Sequence, residues 1–218
     1  MPYDADCLLD EMTKRPQTIE SLSELVKIIF GLALSIGAIS LISRIPVRPI
    51  AMFYDIVEFG FSFLILISVW WGYTNIMSVL PMEDGVTLAL NLVLLFLVSI
   101  EPYLFYLNIT FDLLAHELLL NYASMLYALD MAGLMLILAL FTHQLAREER
   151  GLVSKSAMAR FKRVRNTLFT SAFLFAITIL PLFWALKLWG LPLRIYLWII
   201  PLILSSVSGI MERKFKNS

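Results

Sequence analysis

Residues 25–41, Leu25-Val-Lys-Ile-Ile-Phe-Gly-Leu-Ala-Leu-Ser-Ile-Gly-Ala-Ile-Ser-Leu41, form the first segment of the chain apolar enough to enter a bilayer, and they carry one full charge, Lys27. Ser23, Lys27, Gly31 and Ser35 recur every four residues, so on a helix they share one face. Two readings of this helix follow. It lines a pathway through the membrane, or it is an ordinary span with a small-residue packing face.

The remaining sequence supports the membrane setting. Of 218 residues, 60% are hydrophobic and 16% charged, and the mean hydropathy is +0.82. Soluble domains sit near ~45–50% apolar and ~25% charged, so the surplus apolar surface requires lipid. Formal net charge is zero, which gives no reason to expect a nucleic-acid partner. A single cysteine, Cys7, excludes an internal disulfide framework and a cysteine-rich metal site. Residues 1–20 are too polar for the apolar core of a signal peptide, so the first span is expected to be retained.

A spanning helix needs about 20 mostly apolar residues. Six segments qualify: Leu25–Ile42, about Phe53–Met77, Val86–Leu107 interrupted by Glu101-Pro102, Leu118–Thr142, Leu168–Leu188 containing Pro181, and Arg194–Met211 containing Pro201. Gly190 and Pro192 form a tight turn between the last two. Basic residues set the orientation. Lys14, Arg15, the cluster from Arg147 to Arg165, Arg213, Lys214 and Lys216 fall on one side; Arg44, Arg48, Lys187 and Arg194 fall on the other. Both termini are therefore expected to be cytoplasmic. The chain reads as an all-α integral membrane protein, with residues 1–218 as one six-helix domain. Its one long hydrophilic connection, residues 144–165, is either a plain basic loop or a segment lying on an anionic leaflet.

Ionisable groups at bilayer depth cost roughly 2.5–3.5 kcal/mol on insertion scales, so each is a candidate for function. Lys27 is one turn into the first helix, with Glu24 three residues before it. Asp55 and Glu58 fall near the external end of the second span, where solvated carboxylates are the expectation. Glu101 and Asp130 lie deeper and are candidate proton or cation sites, with a structural hydrogen bond as the plainer reading of Asp130. Signatures of catalysis are missing: there is no HExxH, no GxSxG and no glycine-rich phosphate loop, and His116 and His143 are too far apart for a short metal-binding pair. Asp130 lies in Ala-Leu-Asp-Met rather than the Gly-x-Gly-Asp of aspartyl intramembrane proteases. Asn108-Ile109-Thr110 is a glycosylation-type triplet that has meaning only in a eukaryotic source. Neither an enzymatic activity nor a cofactor is expected.

The segments FSFLILISVWWGYTN, MEDGVTLALNL and VSIEPYLFYLNITFD, within residues 60–112, resemble the second and third helices of the transmembrane protein 175 family. The matching features are Trp71 near the inner end of the second helix, Asn91 in the third, and Pro102-Tyr103 after it. The resemblance implies a potassium channel, with a single-repeat chain assembling as a homotetramer around its first helix. In that family bulky apolar side chains form the constriction, and this sequence likewise lacks a TVGYG-like filter.

The family's Arg and Phe-Ser-Asp signature at the start of the first helix is absent. In one register Thr18 and Leu22-Ser23-Glu24 occupy those positions; in the other, which fits the apolar length better, Ser21 and Leu25-Val26-Lys27 do. The histidine that the family ties to this signature reads Thr74, while the asparagine survives as Asn91.

The resemblance thus implies Leu32, Ser35, Ile36 and Ile39 as pore lining, Glu24 and Lys27 as inner-mouth charges, and Trp71, Thr74 and Asn91 as an inter-helix polar network. Potassium or another monovalent cation, the lipid bilayer and further copies of the chain are the expected partners, at the plasma membrane if the source is prokaryotic. Two other functions fit the sequence: a non-conducting scaffold or sensor of the same fold, and a proton-coupled carrier using Glu101 and Asp130.

Overall fold

The structure is a computed structural model, and it describes residues 24–39, 49–80, 85–112, 117–147, 155–188, 191–194 and 196–201. Helix α1 covers residues 24–39; α2, α3, α4 and α5 are Pro49–Met77, Gly85–Asp112, Glu117–Leu145 and Lys155–Ile177. A one-turn helix α6, Leu182–Ala185, leads into a minimal antiparallel hairpin, β1 Lys187–Leu188 with β2 Leu191–Pro192. A final helical segment over residues 196–201 is α7.

Helices α2 to α4 form as their sequences demand. Each is a long apolar run with no strand-like alternation, and Pro49 begins α2 at the position where its missing N–H costs nothing. Among the described residues, three windows are long and apolar enough to span a bilayer, Asp55–Met77, Gly85–Leu107 and Asn121–Leu145. The chain is a multi-pass membrane protein. Burial within these windows rises from 29% in α2 through 44% in α3 to 67% in α4, which makes α4 the central helix of the protomer. It packs most extensively on α5 and next on α3. Pro102 does not interrupt α3; the helix runs through it, as membrane helices can when neighbours cover the freed carbonyl.

One core runs through the five long helices. Val26 and Phe30 of α1, Ile65 and Val69 of α2, Leu94 and Val98 of α3, Met131, Leu134 and Phe141 of α4, and Phe175 of α5 all belong to it. Trp198 packs α7 against this core. Its ring lies 6.2 Å from Phe61, 5.5 Å from Tyr127 and 6.4 Å from Phe175, and its Nε1 donates to Thr178 Oγ1 at 3.0 Å.

The expected fifth span is corrected. Helix α5 begins at Lys155, so the basic end of the 144–165 connection is helix, and it ends at Ile177 rather than Leu188. Pro181 accounts for the ending, since a proline disfavours helical geometry in the residue before it and removes a backbone donor. Arg194, read from sequence as an external flanking charge, is buried. The sixth span lies outside the described residues beyond Pro201.

Candidate functional site on the first helix

Helix α1 has two faces. Val26, Phe30, Ala33 and Gly37, spaced by three and four residues, turn inward and are buried. Leu25, Ile28, Leu32, Ile36 and Ile39 turn outward and are 45–66% exposed. The second set is as apolar as the first, so α1 is not amphipathic in the usual sense; it has one covered face and one uncovered face. All four expected pore-lining residues, Leu32, Ser35, Ile36 and Ile39, fall on the uncovered side. The Ser35 hydroxyl donates to the Gly31 carbonyl at 2.8 Å, which leaves its oxygen lone pairs turned outward as an acceptor step among the aliphatic groups.

Glu24 and Lys27 are exposed as well. At 3.6 residues per turn, Lys27 lies about 140° around the helix from Leu32 and about 180° from Ile36. The lysine and the aliphatic stripe therefore do not share a face. Gly31 also departs from expectation: an added Cβ would meet nothing within 4 Å, so Gly31 is no packing glycine inside the protomer. Gly37 takes that role, since a Cβ there would reach Phe59 at 3.5 Å.

The buried face of α1 rests on Tyr73. The Phe30 ring lies 6.5 Å from the Tyr73 ring, which in turn meets Phe141 of α4 edge-on at 6.1 Å. The Tyr73 hydroxyl donates to Asn91 Oδ1 at 2.7 Å, and Asn91 Nδ2 donates to the Thr87 carbonyl at 2.8 Å. Thr87 Oγ1 continues to Gln144 Oε1 at 3.0 Å. Tyr73, Thr87, Asn91 and Gln144 are all buried, so the chain of bonds links α2, α3 and α4 beneath α1.

This network shares one member with the expected set. Asn91 belongs to it, but Trp71 is 60% exposed and Thr74 returns its hydroxyl to the Trp70 carbonyl at 2.9 Å. Both point away because they are two and one residues off the Tyr73 face of the helix. Tyr73 was hidden in sequence by its neighbours, an aromatic pair and a threonine that matched the family position better. Thr87, four residues before Asn91 and so on its face, was the available signal.

A second polar group occupies the middle of the bundle. Glu101 of α3 is 1% exposed and accepts a hydrogen bond from the Ser62 hydroxyl of α2. Asp130 of α4 is 4% exposed and has no hydrogen-bond donor at either carboxyl oxygen among the described residues. Both candidate acids are thus buried within one protomer. Asp55 is half-buried near the start of α2, and the Glu58 side chain lies outside the described set. No group of three or more metal-ligating side chains occurs among the described residues.

The fold has a solved counterpart. The chain matches the crystal structure of a lysosomal potassium-selective channel TMEM175 homologue from Chamaesiphon minutus, with a TM-score of 0.60 over 88% of this chain and 98% of that one. The two share a fold. Sequence identity is 14%, so the likeness is one of architecture, and it extends across nearly the whole of the channel homologue. No protein-family model matches the chain, and no curated protein matches it at a significant level.

Proposed function

We propose that the chain is the subunit of a homotetrameric cation channel in which the uncovered face of α1 surrounds a central pathway. The observation that carries this reading is the apolar stripe Leu25, Ile28, Leu32, Ile36 and Ile39. It stands exposed on a helix whose other face is sealed onto the core, in a chain with the fold of a potassium-channel homologue. Contiguous exposed apolar surface of this kind marks an interaction site or a lipid face. In the proposed assembly Leu32, Ile36 and Ile39 form a hydrophobic constriction that gates by dewetting, and Ser35 offers a polar step within it. Lys27, on the opposite flank from Ile36, faces away from the axis and does not place a ring of positive charge in the path of a cation. Both termini are proposed to be cytoplasmic, with residues 1–218 as one transmembrane domain.

The test is potassium flux from loaded liposomes containing the purified protein. Wild type is expected to conduct weakly, and Leu32→Ala or Ile36→Ala to conduct more by widening the constriction. Absence of flux in all three would overturn conduction and leave the non-conducting scaffold of the same fold. The carrier reading has less support: Glu101 and Asp130 are enclosed by α2, α3 and α4 within one protomer, and a carrier would require substrate-dependent proton uptake that Asp130→Asn abolishes.

A further inference from the structure

Helix α5 changes character along its length. Its first half carries Lys155, Arg160, Lys162, Arg163 and Arg165, its second half is apolar, and no acidic residue occurs from Lys155 to Ile177. Where the halves meet, Lys162, Arg163, Asn166, Thr167 and Thr170 line a cleft of about 510 Å³. These positions fall on one face, at spacings of three, four and five residues. Beyond the cleft, the exposed side chains become hydrophobic: Phe169 at 38% and Phe173 at 64% exposure. From Thr167 to the end of the helix at Ile177 is roughly 15 Å at 1.5 Å per residue, half the ~30 Å hydrocarbon thickness of a bilayer.

We propose that this cleft binds the headgroup of an anionic phospholipid, whose acyl chain lies along Phe169 and Phe173. The polarity gradient of the surface is that of a lipid. Two cations and an amide stand at the depth of the phosphate, while the Thr167 and Thr170 hydroxyls donate to the Arg163 and Asn166 carbonyls at 3.2 and 3.0 Å and only shape the wall, and one leaflet's length of exposed apolar helix follows. Arg163 supplies a planar guanidinium suited to two phosphate oxygens, and Lys162 adds a point charge. Asn166 completes the cleft: its Oδ1 accepts from Arg165 Nε at 3.2 Å and NH2 at 3.0 Å, which leaves the amide nitrogen as its remaining donor. Arg165 is held on the far side of the helix, where its NH1 lies 3.2 Å from His143 Nδ1. A free phosphate would use the donors of the cleft but would leave the aromatic stripe without purpose, so the site is assigned to a lipid. The assignment depends on the membrane setting and is independent of conduction.

Native mass spectrometry of the purified full chain in detergent, offered equimolar phosphatidylglycerol and phosphatidylcholine, tests it. Wild type is expected to retain phosphatidylglycerol preferentially, and Lys162→Gln/Arg163→Gln to lower that preference roughly thirtyfold, since each of the two basic groups contributes about 1 kcal/mol near a membrane surface. The charge-matched variant Lys27→Gln/Arg147→Gln, at exposed positions away from α5, is expected to keep it. Equal retention of both lipids by wild type would overturn the site, and so would the same loss in the charge-matched variant, which would show diffuse attraction instead. Displacement of phosphatidylglycerol by inorganic phosphate would make the cleft a free-anion site and overturn the lipid assignment. Should the double variant not fold, Arg163→Gln alone, at an exposed position, makes the same test.

Discussion

Tyr73 of α2 and Asn91 of α3 share a 2.7 Å hydrogen bond, and the ring that carries the donor supports Phe30 of α1 on one side and Phe141 of α4 on the other. Four helices therefore meet at one tyrosine. The bond and the ring contribute differently. Hydrogen bonds between membrane helices average about 0.6 kcal/mol in double-mutant cycles, whereas removing a buried aromatic ring costs about 3–5 kcal/mol. Tyr73→Phe is expected to lower stability by about 1 kcal/mol, and Tyr73→Ala by at least three times as much, with α1 loosened. Thermal unfolding in detergent reads both. Equal losses would mean that the hydroxyl network, rather than the ring, holds the helices.

Opposite faces of α1 should respond to mutation in opposite ways. Phe30→Ala opens a cavity in the core and is expected to destabilise the protomer by about 3–5 kcal/mol. Leu32→Ala and Ile36→Ala remove exposed groups and should leave protomer unfolding within about 0.5 kcal/mol. Their effect is expected in subunit association, read by light scattering, and in flux. Lys27→Gln, a half-turn away from Ile36, should change flux less than twofold; a large gain on removing that charge would bring Lys27 back to the pathway.

Much of this was legible in the sequence, and the failures have physical causes. The long helices declare themselves because apolar runs in α2, α3 and α4 exceed what a soluble core needs. The outward side of α1 was readable only with the family resemblance, because its two faces are equally apolar and periodicity alone cannot say which is covered. Asn91 stood out in the sequence, yet its partner Tyr73 did not, since a bond between helices depends on their relative rotation. The pairing of Glu101 with Ser62 was out of reach for the same reason. Sequence suggested a loop at residues 155–165 because basic residues interrupt the apolar count, although Lys and Arg are good helix formers.

The acids at mid-bundle give a pair of expectations with opposite signs. Ser62→Ala deprives buried Glu101 of a donor and should cost about 1–3 kcal/mol. Asp130→Asn removes an ionisable group that is buried with no donor among the described residues, so stability should hold or rise by about 1 kcal/mol. Unfolding free energies of the two variants at one pH suffice. A loss above about 2 kcal/mol in Asp130→Asn would imply that the carboxylate is held by a favourable contact.

Glycine substitutions separate packing inside the protomer from packing between copies. At Gly133 an added Cβ would stand 2.9 Å from Leu97 Cδ1, too close for any real contact, so Leu97 must shift within the α3–α4 interface. Overpacking of this kind costs about 1–3 kcal/mol, and the mobile end of a leucine argues for the lower figure in Gly133→Ala. At Gly31 a Cβ meets nothing within 4 Å, and alanine is the better helix former by about 1 kcal/mol, so Gly31→Ala should leave the isolated protomer as stable or slightly more so. The informative readout is the oligomer. Gly31 lies on the exposed side beside Leu32 and Ser35 without sharing the angle of the aliphatic stripe. If that stripe surrounds the axis, a methyl group at position 31 is tolerated and the assembled species persists on size-exclusion chromatography. Dissociation of Gly31→Ala, with protomer stability unchanged, would instead place the closest approach between copies on the small-residue face and rotate the proposed lining away from Leu32 and Ile36.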